Sequence, residues 1–132
     1  PAYNNRGIAY SSQGRFKEAI ADLTKTIELE PQFIPAYYNR GNAYSNQNQY
    51  TEALADYTKA LELEPQFAPA YFNRGNVYSK QKLYKEAIAD FTKFIELSPS
   101  SAQGYKERGI AYQEMGMPAE ALRDFEKAKS LP

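Results

Sequence analysis

A unit of 34 residues recurs along this chain and restricts what the chain can fold into. The stretch AYYNRGNAY begins at Ala36, and near-copies of it begin at Ala2, Ala70 and Gly104. Residues 36–69 and 70–103 are identical at 20 of 34 positions without a gap. In repeat proteins of this kind each unit buries its apolar face against its neighbours. The 132 residues therefore predict four copies of one structural unit, the last slightly short.

Each unit contains two helical patterns with a short turn between them. In the second unit Tyr37, Gly41 and Tyr44 are spaced by four and three residues, as on one face of an α-helix. Further along, the same spacing recurs at Ala53, Tyr57 and Ala60. No stretch alternates apolar and polar residues as a half-buried strand does. The predicted fold class is therefore all-α.

The turns and helix ends carry residues with special backbone preferences. Gly14 and Gly116 occupy the turn in the first and fourth units, where they suit a left-handed residue after a helix. Asn48 tolerates that conformation, whereas Lys82 fits it poorly. Proline is favoured at the beginning of a helix, and three prolines are predicted to lie there: Pro35, Pro69 and Pro118.

We expect the two helices of a unit to pack closely through small residues. Gly41 and Ala53 are predicted to lie on facing helices, with Tyr37 and Tyr57 filling the wider end of the interface. The other units carry Leu23, Phe91 and Phe125 at the place of Tyr57. Most of the 12 tyrosines and 7 phenylalanines are therefore interpreted as core residues.

These positions resemble the tetratricopeptide repeat (TPR), whose signature of aromatic, Gly, Tyr, Ala, aromatic and Pro falls here on Tyr37, Gly41, Tyr44, Ala53, Tyr57 and Pro65. The resemblance implies a helical-repeat solenoid of antiparallel helix pairs, stacked into a right-handed superhelix whose first helices line a concave groove. It also implies a scaffold that binds proteins or peptides. We expect one domain, 1–132, with repeats at about 1–34, 35–68, 69–102 and 103–132, taken from a longer protein. The fourth repeat departs most, at Pro118 and Lys129.

One departure from the family pattern occurs in all four units. An arginine precedes the glycine, where the family usually has leucine, and an aspartate flanks the apolar stripe of the second helix. Because both residues recur together, we predict an ion pair between the two helices of each unit rather than an anion-binding site. The predicted pairs are Arg6 with Asp22, Arg40 with Asp56, Arg74 with Asp90, and Arg108 with Asp124.

A row of asparagines remains on the first helices once packing is assigned. A carboxamide has both a donor and an acceptor, so it can bond the N–H and C=O of an extended peptide. Flanking aromatic residues would add apolar contact. The row is similar to the asparagine ladder in the TPR domain of O-GlcNAc transferase, which implies peptide binding in the groove. The predicted peptide-binding residues are Asn5, Asn39, Asn42, Asn73, Asn76, Tyr38 and Phe72.

Composition argues against several other classes of function. Lys plus Arg equals Asp plus Glu, at 16 each, so the chain lacks the basic excess typical of nucleic-acid binding. Without histidine or cysteine, thiol chemistry and histidine-based catalysis are not available. The carboxylate pair Glu18 and Asp22 recurs in every unit, so we interpret it as part of the fold. We predict no enzyme, no cofactor, no metal, no nucleic-acid or membrane partner, and a soluble protein of unidentified location, with the cytoplasm expected.

Self-association is the alternative function that the sequence leaves open. Repeat arrays normally end in a polar capping helix, and no such segment follows the fourth unit. We expect Ala121, Leu122, Phe125 and Ala128 to be partly uncovered there. The first unit likewise begins without a cap, at residues 1–3. Such ends would let copies stack head to tail into a longer superhelix.

Overall fold

The computed structural model describes all 132 residues, Pro1–Pro132. It contains eight α-helices and no strand: α1 (Ala2–Ser12), α2 (Phe16–Leu29), α3 (Ile34–Asn46), α4 (Tyr50–Leu63), α5 (Ala68–Lys80), α6 (Tyr84–Leu97), α7 (Ala102–Glu114) and α8 (Pro118–Ser130). The predicted all-α helical-repeat fold is therefore confirmed. The chain divides into two compact units, Pro1–Ala70 and Tyr71–Pro132. In the first, α1 packs on α2, α2 on α3 and α3 on α4; in the second, α6 packs on α7 and α7 on α8.

The first helix of every repeat ends in the same left-handed turn. The residues with positive φ are Gly14 (75°), Asn48 (61°), Lys82 (63°) and Gly116 (74°). After α1, the N–H of Arg15 donates to the carbonyl of Tyr10 over 2.9 Å, and the N–H of Gly14 donates to that of Ser11 over 3.0 Å. These two bonds form a Schellman motif, which satisfies carbonyls left without partners at a helix end. Lys82 thus adopts the conformation that suits lysine poorly.

Proline marks the beginning of three helices. Pro35 and Pro69 are the second residues of α3 and α5, and Pro118 is the first residue of α8. Proline has no N–H, but the N–H groups of a first turn have no acceptor within the helix, so the loss is harmless there. The three helix starts predicted from proline are confirmed.

The two helices of a repeat pack closely where a large side chain of the second helix lies on a glycine of the first. Tyr57 is 1% exposed, and a Cβ atom added to Gly41 would lie 2.8 Å from Cε1 of that ring. Gly75 has the same relation to Phe91, at 2.7 Å. From the sequence, we predicted that the backbones of the two helices approach closely at Gly41 and Ala53. The atoms nearest to a Cβ atom added at Gly41 belong instead to the side chain of Tyr57. The buried ring is therefore the residue that requires glycine.

Several residues differ from their predicted burial. Most of the tyrosines and phenylalanines were interpreted as core, but only Tyr37, Tyr57 and Phe91 are buried, so that interpretation was wrong. Tyr44, predicted as core, is half-buried, and its ring centroid lies 5.8 Å from the guanidinium carbon of Arg40. Ala121, predicted to be partly uncovered, is only 3% exposed because α7 covers it. The other residues predicted to be uncovered on α8 are so: Leu122 is 58% exposed, and Phe125 and Ala128 are half-buried.

Candidate functional site

Each repeat carries an arginine that joins its two helices. In the second repeat, Nε and Nη2 of Arg40 donate to Oδ2 and Oδ1 of Asp56 over 2.8 and 2.7 Å. A guanidinium and a carboxylate that meet in this bidentate way are fixed in orientation as well as in distance. The same two bonds join Arg6 to Asp22, Arg74 to Asp90, and Arg108 to Asp124. The structure thus brings together all four arginine–aspartate pairs that the sequence predicts.

Two of these arginines each donate a further hydrogen bond to a threonine of the preceding repeat. Nη1 of Arg40 donates to Oγ1 of Thr24 in α2 over 3.1 Å, so Arg40 connects α2, α3 and α4. Nη1 of Arg108 likewise donates to Oγ1 of Thr92 in α6 over 3.2 Å. The sequence pattern did not single out these threonines. The signal that could have found them is their period, since Thr24, Thr58 and Thr92 recur at the repeat spacing.

The arginines also lie beside tyrosine rings of their own helices. In α7 the guanidinium carbon of Arg108 is 5.7 Å from the ring centroid of Tyr105 and 5.8 Å from that of Tyr112. Arg6 and Arg74 have equivalent neighbours. Residues three before and four after the arginine lie on its side of the helix, and a ring face attracts a cation. These tyrosines therefore hold the arginine in place, in addition to the packing role predicted for them.

The ion pairs differ in their exposure to water. The side chain of Arg6 is 59% exposed, whereas that of Arg40 is 18% exposed. Hydrogen bonds from Arg6 lower the pKa of Asp22, because bonds from a cation favour the carboxylate form. In the two middle repeats burial raises the pKa of Asp56 and Asp90, although the bonded arginine opposes this. The middle pairs therefore lie in a less polar environment, where loss of one partner is more costly.

The asparagines predicted to bind peptide lie on the same helices as these arginines. Asn5 in α1 is exposed and Asn39 in α3 is half-buried, and neither side chain has a hydrogen-bond partner within the chain. Helices α1 and α3 are in contact, so the two residues lie on neighbouring helices. Asn73, at the same place in α5, is half-buried. Because Asn39 directly precedes Arg40, the bonds of Arg40 also fix the rotation of the helix that carries Asn39.

The second pair of asparagines has two different environments. The hydroxyl of Tyr57 donates to Oδ1 of Asn42. The third repeat has Phe91 at the place of Tyr57, so Asn76 has no equivalent bond. The sequence pattern left Asn42 without a packing role, yet this bond ties its side chain to the second helix of its own repeat. Asn42 and Asn76 therefore hold equivalent positions in their repeats but have different chemical surroundings.

The two aromatic residues predicted to contact a peptide pack against rings of their own compact units. The ring centroid of Tyr38 lies 5.2 Å from that of Phe67, at an interplanar angle of 81°. That of Phe72 lies 4.9 Å from the centroid of Phe94. Such edge-on and tilted pairs are favourable aromatic geometries. Both residues are half-buried, so each ring contributes to packing and also leaves part of its surface accessible.

Helix pairs that recur every 34 residues, with glycine under a large side chain and a left-handed turn between the helices, define the class of protein. The family model of the tetratricopeptide repeat matches residues 1–33, 34–67 and 68–101. The chain therefore belongs to the tetratricopeptide repeat family. Proteins of this family generally mediate protein–protein interactions, and the fold is that of a non-catalytic scaffold.

Known structures give a more particular likeness. A crystal structure of MamA superposes with a TM-score of 0.94 at 29% sequence identity, over 97% of this chain and 75% of that one. A structure of MamA 41-end from Desulfovibrio magneticus RS-1 superposes with a TM-score of 0.92 at 26% identity, over 98% of this chain and 73% of that one. No curated protein matches the sequence significantly. None of the eight helices has the length and apolar character needed to cross a membrane.

Proposed function

We propose that the chain binds an extended segment of a protein partner across its first helices, with asparagine carboxamides bonding the backbone of that segment. The observation that carries the proposal is the pair Asn5 and Asn39. Both are accessible, lie on helices in contact, and have no hydrogen-bond partner within the chain. A carboxamide offers a donor and an acceptor together, which matches one peptide unit of an extended backbone.

The ion pairs support this proposal because they hold the ladder positions rigid. Arg40 adjoins Asn39 and makes three hydrogen bonds, to Asp56 and Thr24. A contact residue whose helix cannot rotate loses little conformational entropy on binding, and preorganisation of this kind raises affinity. The arginines thus contribute to binding indirectly, through the orientation of their neighbours.

The composition of the face indicates which ligands it would accept. Asn73 and Asn76 stand at the equivalent positions of the third repeat, and Tyr38 and Phe72 are each partly accessible beside an asparagine of their own helix. Backbone contacts of this type depend little on the sequence of the peptide. In the fourth repeat Glu107 takes the ladder position, and a carboxylate cannot donate to a peptide carbonyl. The sequence therefore offers a carboxamide at this position in each of the first three repeats.

A double substitution tests the ladder. Asn39→Ala with Asn73→Ala removes two carboxamides from the proposed face, and Gln32→Ala with Gln66→Ala removes two from exposed turns elsewhere. Both variants and the unmodified chain are probed with an array of overlapping unstructured peptides. Peptides retained by the unmodified chain are then measured by calorimetry.

We expect the asparagine double variant to bind retained peptides at least ~10-fold more weakly, since each lost carboxamide removes hydrogen bonds of about 1 kcal/mol. The glutamine double variant should bind as the unmodified chain does. Equal melting temperatures for all three proteins would exclude unfolding as the cause. The proposal is wrong if no peptide binds, or if both double variants bind equally well.

A further inference from the structure

Three lysines lie close together where α5 ends and α6 begins. Lys80 is the last residue of α5, Lys82 lies in the turn, and Lys85 is the second residue of α6. All three are exposed, and none forms an ion pair within the chain. Because only six residues contain all three ammonium groups, they form one positively charged surface. We call residues 80–85 the lysine turn.

The equivalent turns of the other repeats do not carry this charge. The places of the three lysines hold Ser12, Gly14 and Lys17 in the first repeat, Asn46, Asn48 and Thr51 in the second, and Glu114, Gly116 and Ala119 in the fourth. The first repeat also has Arg15, but that cation is paired with Glu18. Glu86, the nearest acidic residue along the chain, lies in the first turn of α6, where a glutamate recurs in every repeat and suits the helix dipole. The turn therefore folds without lysines, so folding does not account for their presence.

The backbone of Lys82 has a conformation that is unfavourable for lysine. Its φ is 63°, where a Cβ atom approaches the following carbonyl oxygen too closely. The N–H of Lys82 donates to the carbonyl of Ser79, and that of Leu83 to the carbonyl of Tyr78, each over 2.9 Å, so the turn imposes this conformation. Two of the other repeats have glycine there. A strained residue in place of glycine points to a function of its side chain.

An apolar side chain is exposed among the lysines. Leu83 directly precedes α6 and is 41% exposed. The second repeat has Gln49 at the same place, so the fold does not require an apolar residue there. The lysine turn thus presents positive charge beside an accessible apolar group. A surface of this kind is complementary to a segment that carries carboxylates and a large apolar side chain.

We propose that the lysine turn binds an acidic segment of a partner protein, with its carboxylates paired to Lys80, Lys82 and Lys85 and an apolar side chain over Leu83. A protein segment fits better than a membrane, because surfaces that bind anionic lipid typically have about four to eight cations and this turn has three. Exposed ion pairs contribute mainly to association rate and to the choice of partner. The contact uses residues outside the asparagine row, so it does not depend on peptide binding there.

Binding of a designed peptide tests the chemistry of the partner. The probe is a fluorescent, unstructured peptide in which leucines are set among glutamates and aspartates. A matched peptide has glutamines and asparagines in place of the acidic residues. In fluorescence anisotropy at low ionic strength, the chain should bind the acidic peptide at least ~10-fold more tightly than the neutral one, and added salt should weaken that binding.

Substitutions taken from the second repeat test the location of the site. Lys80→Asn with Lys85→Thr introduces the residues that the second repeat has at these places, so the fold accepts them. This double variant should bind the acidic peptide about tenfold more weakly, the effect of losing two exposed ion pairs. Lys127→Gln with Lys129→Gln is the matched control, because it removes the same charge from exposed residues of α8. The control should bind nearly as tightly as the unmodified chain.

Lys82→Gly separates binding from stability. Relief of the strained backbone should raise the melting temperature, while loss of the ammonium group should weaken binding of the acidic peptide about threefold. The proposal is overturned if the two peptides bind equally, if both double variants lose affinity equally, or if Lys82→Gly binds as tightly as the unmodified chain.

Two further measurements examine other occupants of the lysine turn. Flotation uses vesicles of phosphatidylcholine and phosphatidylserine in equal amounts, and sedimentation velocity measures association of the chain with itself. Vesicle binding without binding of the acidic peptide would assign the turn to membranes and overturn the proposal. Self-association that Lys80→Asn with Lys85→Thr abolishes would assign the turn to a second copy and overturn it as well.

Discussion

Replacing Arg40 with leucine tests whether the arginine stabilises the joint between repeats. The substitution removes three hydrogen bonds, two to Asp56 and one to Thr24. Asp56, whose side chain is 6% exposed, then becomes a carboxylate with no cation beside it. Removing one partner of a buried pair costs about 3–5 kcal/mol, and the partial exposure of Arg40 favours the lower end of that range. At roughly 4 °C for each kcal/mol, the melting temperature should fall by about 12 °C.

Arg6→Leu is the matched control, because the chain offers the same substitution in nearly the same local sequence. Arg6 is 59% exposed and has no threonine partner. Exposed pairs contribute ~0–1 kcal/mol, so we expect the melting temperature to fall by at most about 4 °C. A second control, Arg40→Leu with Asp56→Leu, removes both charges. It should recover most of the stability lost in Arg40→Leu, because no unpaired carboxylate remains buried.

Thermal unfolding followed by circular dichroism measures these differences. Because repeat proteins can unfold in parts, amide hydrogen exchange should be measured as well. For Arg40→Leu, we expect the largest loss of protection in α3 and α4. Equal losses for Arg40→Leu and Arg6→Leu would refute the reasoning from burial. A double variant as unstable as Arg40→Leu alone would show that the unpaired carboxylate is not the source of the loss.

Two further predictions concern backbone strain and acid stability. Lys82 has a φ of 63°, a conformation that costs a residue with a Cβ atom about 1 kcal/mol. Lys82→Gly should therefore raise the melting temperature by roughly 2–4 °C. An unchanged or lower melting temperature would contradict this prediction. Hydrogen bonds from Arg6 lower the pKa of Asp22 below its ordinary 3.8, so its stabilising contribution is lost as the pH falls through the lowered pKa. Burial raises the pKa of Asp56, so proton uptake between 3.8 and the raised pKa favours the folded state. The test is a series of melting temperatures measured at decreasing pH. Asp22→Asn should reduce the stability lost on acidification below pH 3.8, and Asp56→Asn should increase the stability lost on acidification from the raised pKa down to pH 3.8. The opposite effect of either substitution would disprove the assignment.

The ion pairs and the left-handed turns, which recur in every repeat, are the features that the sequence predicted well. Arg40 and Asp56 each lie at the edge of an apolar stripe, and the four-fold recurrence of the two residues together indicates contact between the stripes. The left-handed turn was equally predictable, because glycine occupies it twice and few other residues tolerate it. Periodicity thus gives the equivalent of four independent observations of one local structure.

Contacts that depend on the three-dimensional path of one side chain could not be predicted in the same way. The bond from Tyr57 to Asn42 requires a hydroxyl at a position that holds Leu23 and Phe91 in other repeats. A pattern search treats these residues as equivalent apolar positions, because most of each side chain is buried in the same place. The role of Thr24 was missed for a related reason: threonine is common on helix surfaces, and only the approach of Arg40 from the next repeat gives its hydroxyl a partner.

The placement of Asn39 beside Arg40 couples the stability of the fold to the proposed binding function. Bonds from Arg40 to α2 and α4 fix the rotation of α3, and with it the direction of the carboxamide one residue earlier. Without these bonds, α3 would be freer to rotate about its axis. A peptide would then have to order Asn39 as it bound, and its affinity would fall although no group that touches it had changed. An arginine at this position therefore restrains the helix beside a proposed ladder residue, through directional bonds that an apolar side chain does not provide.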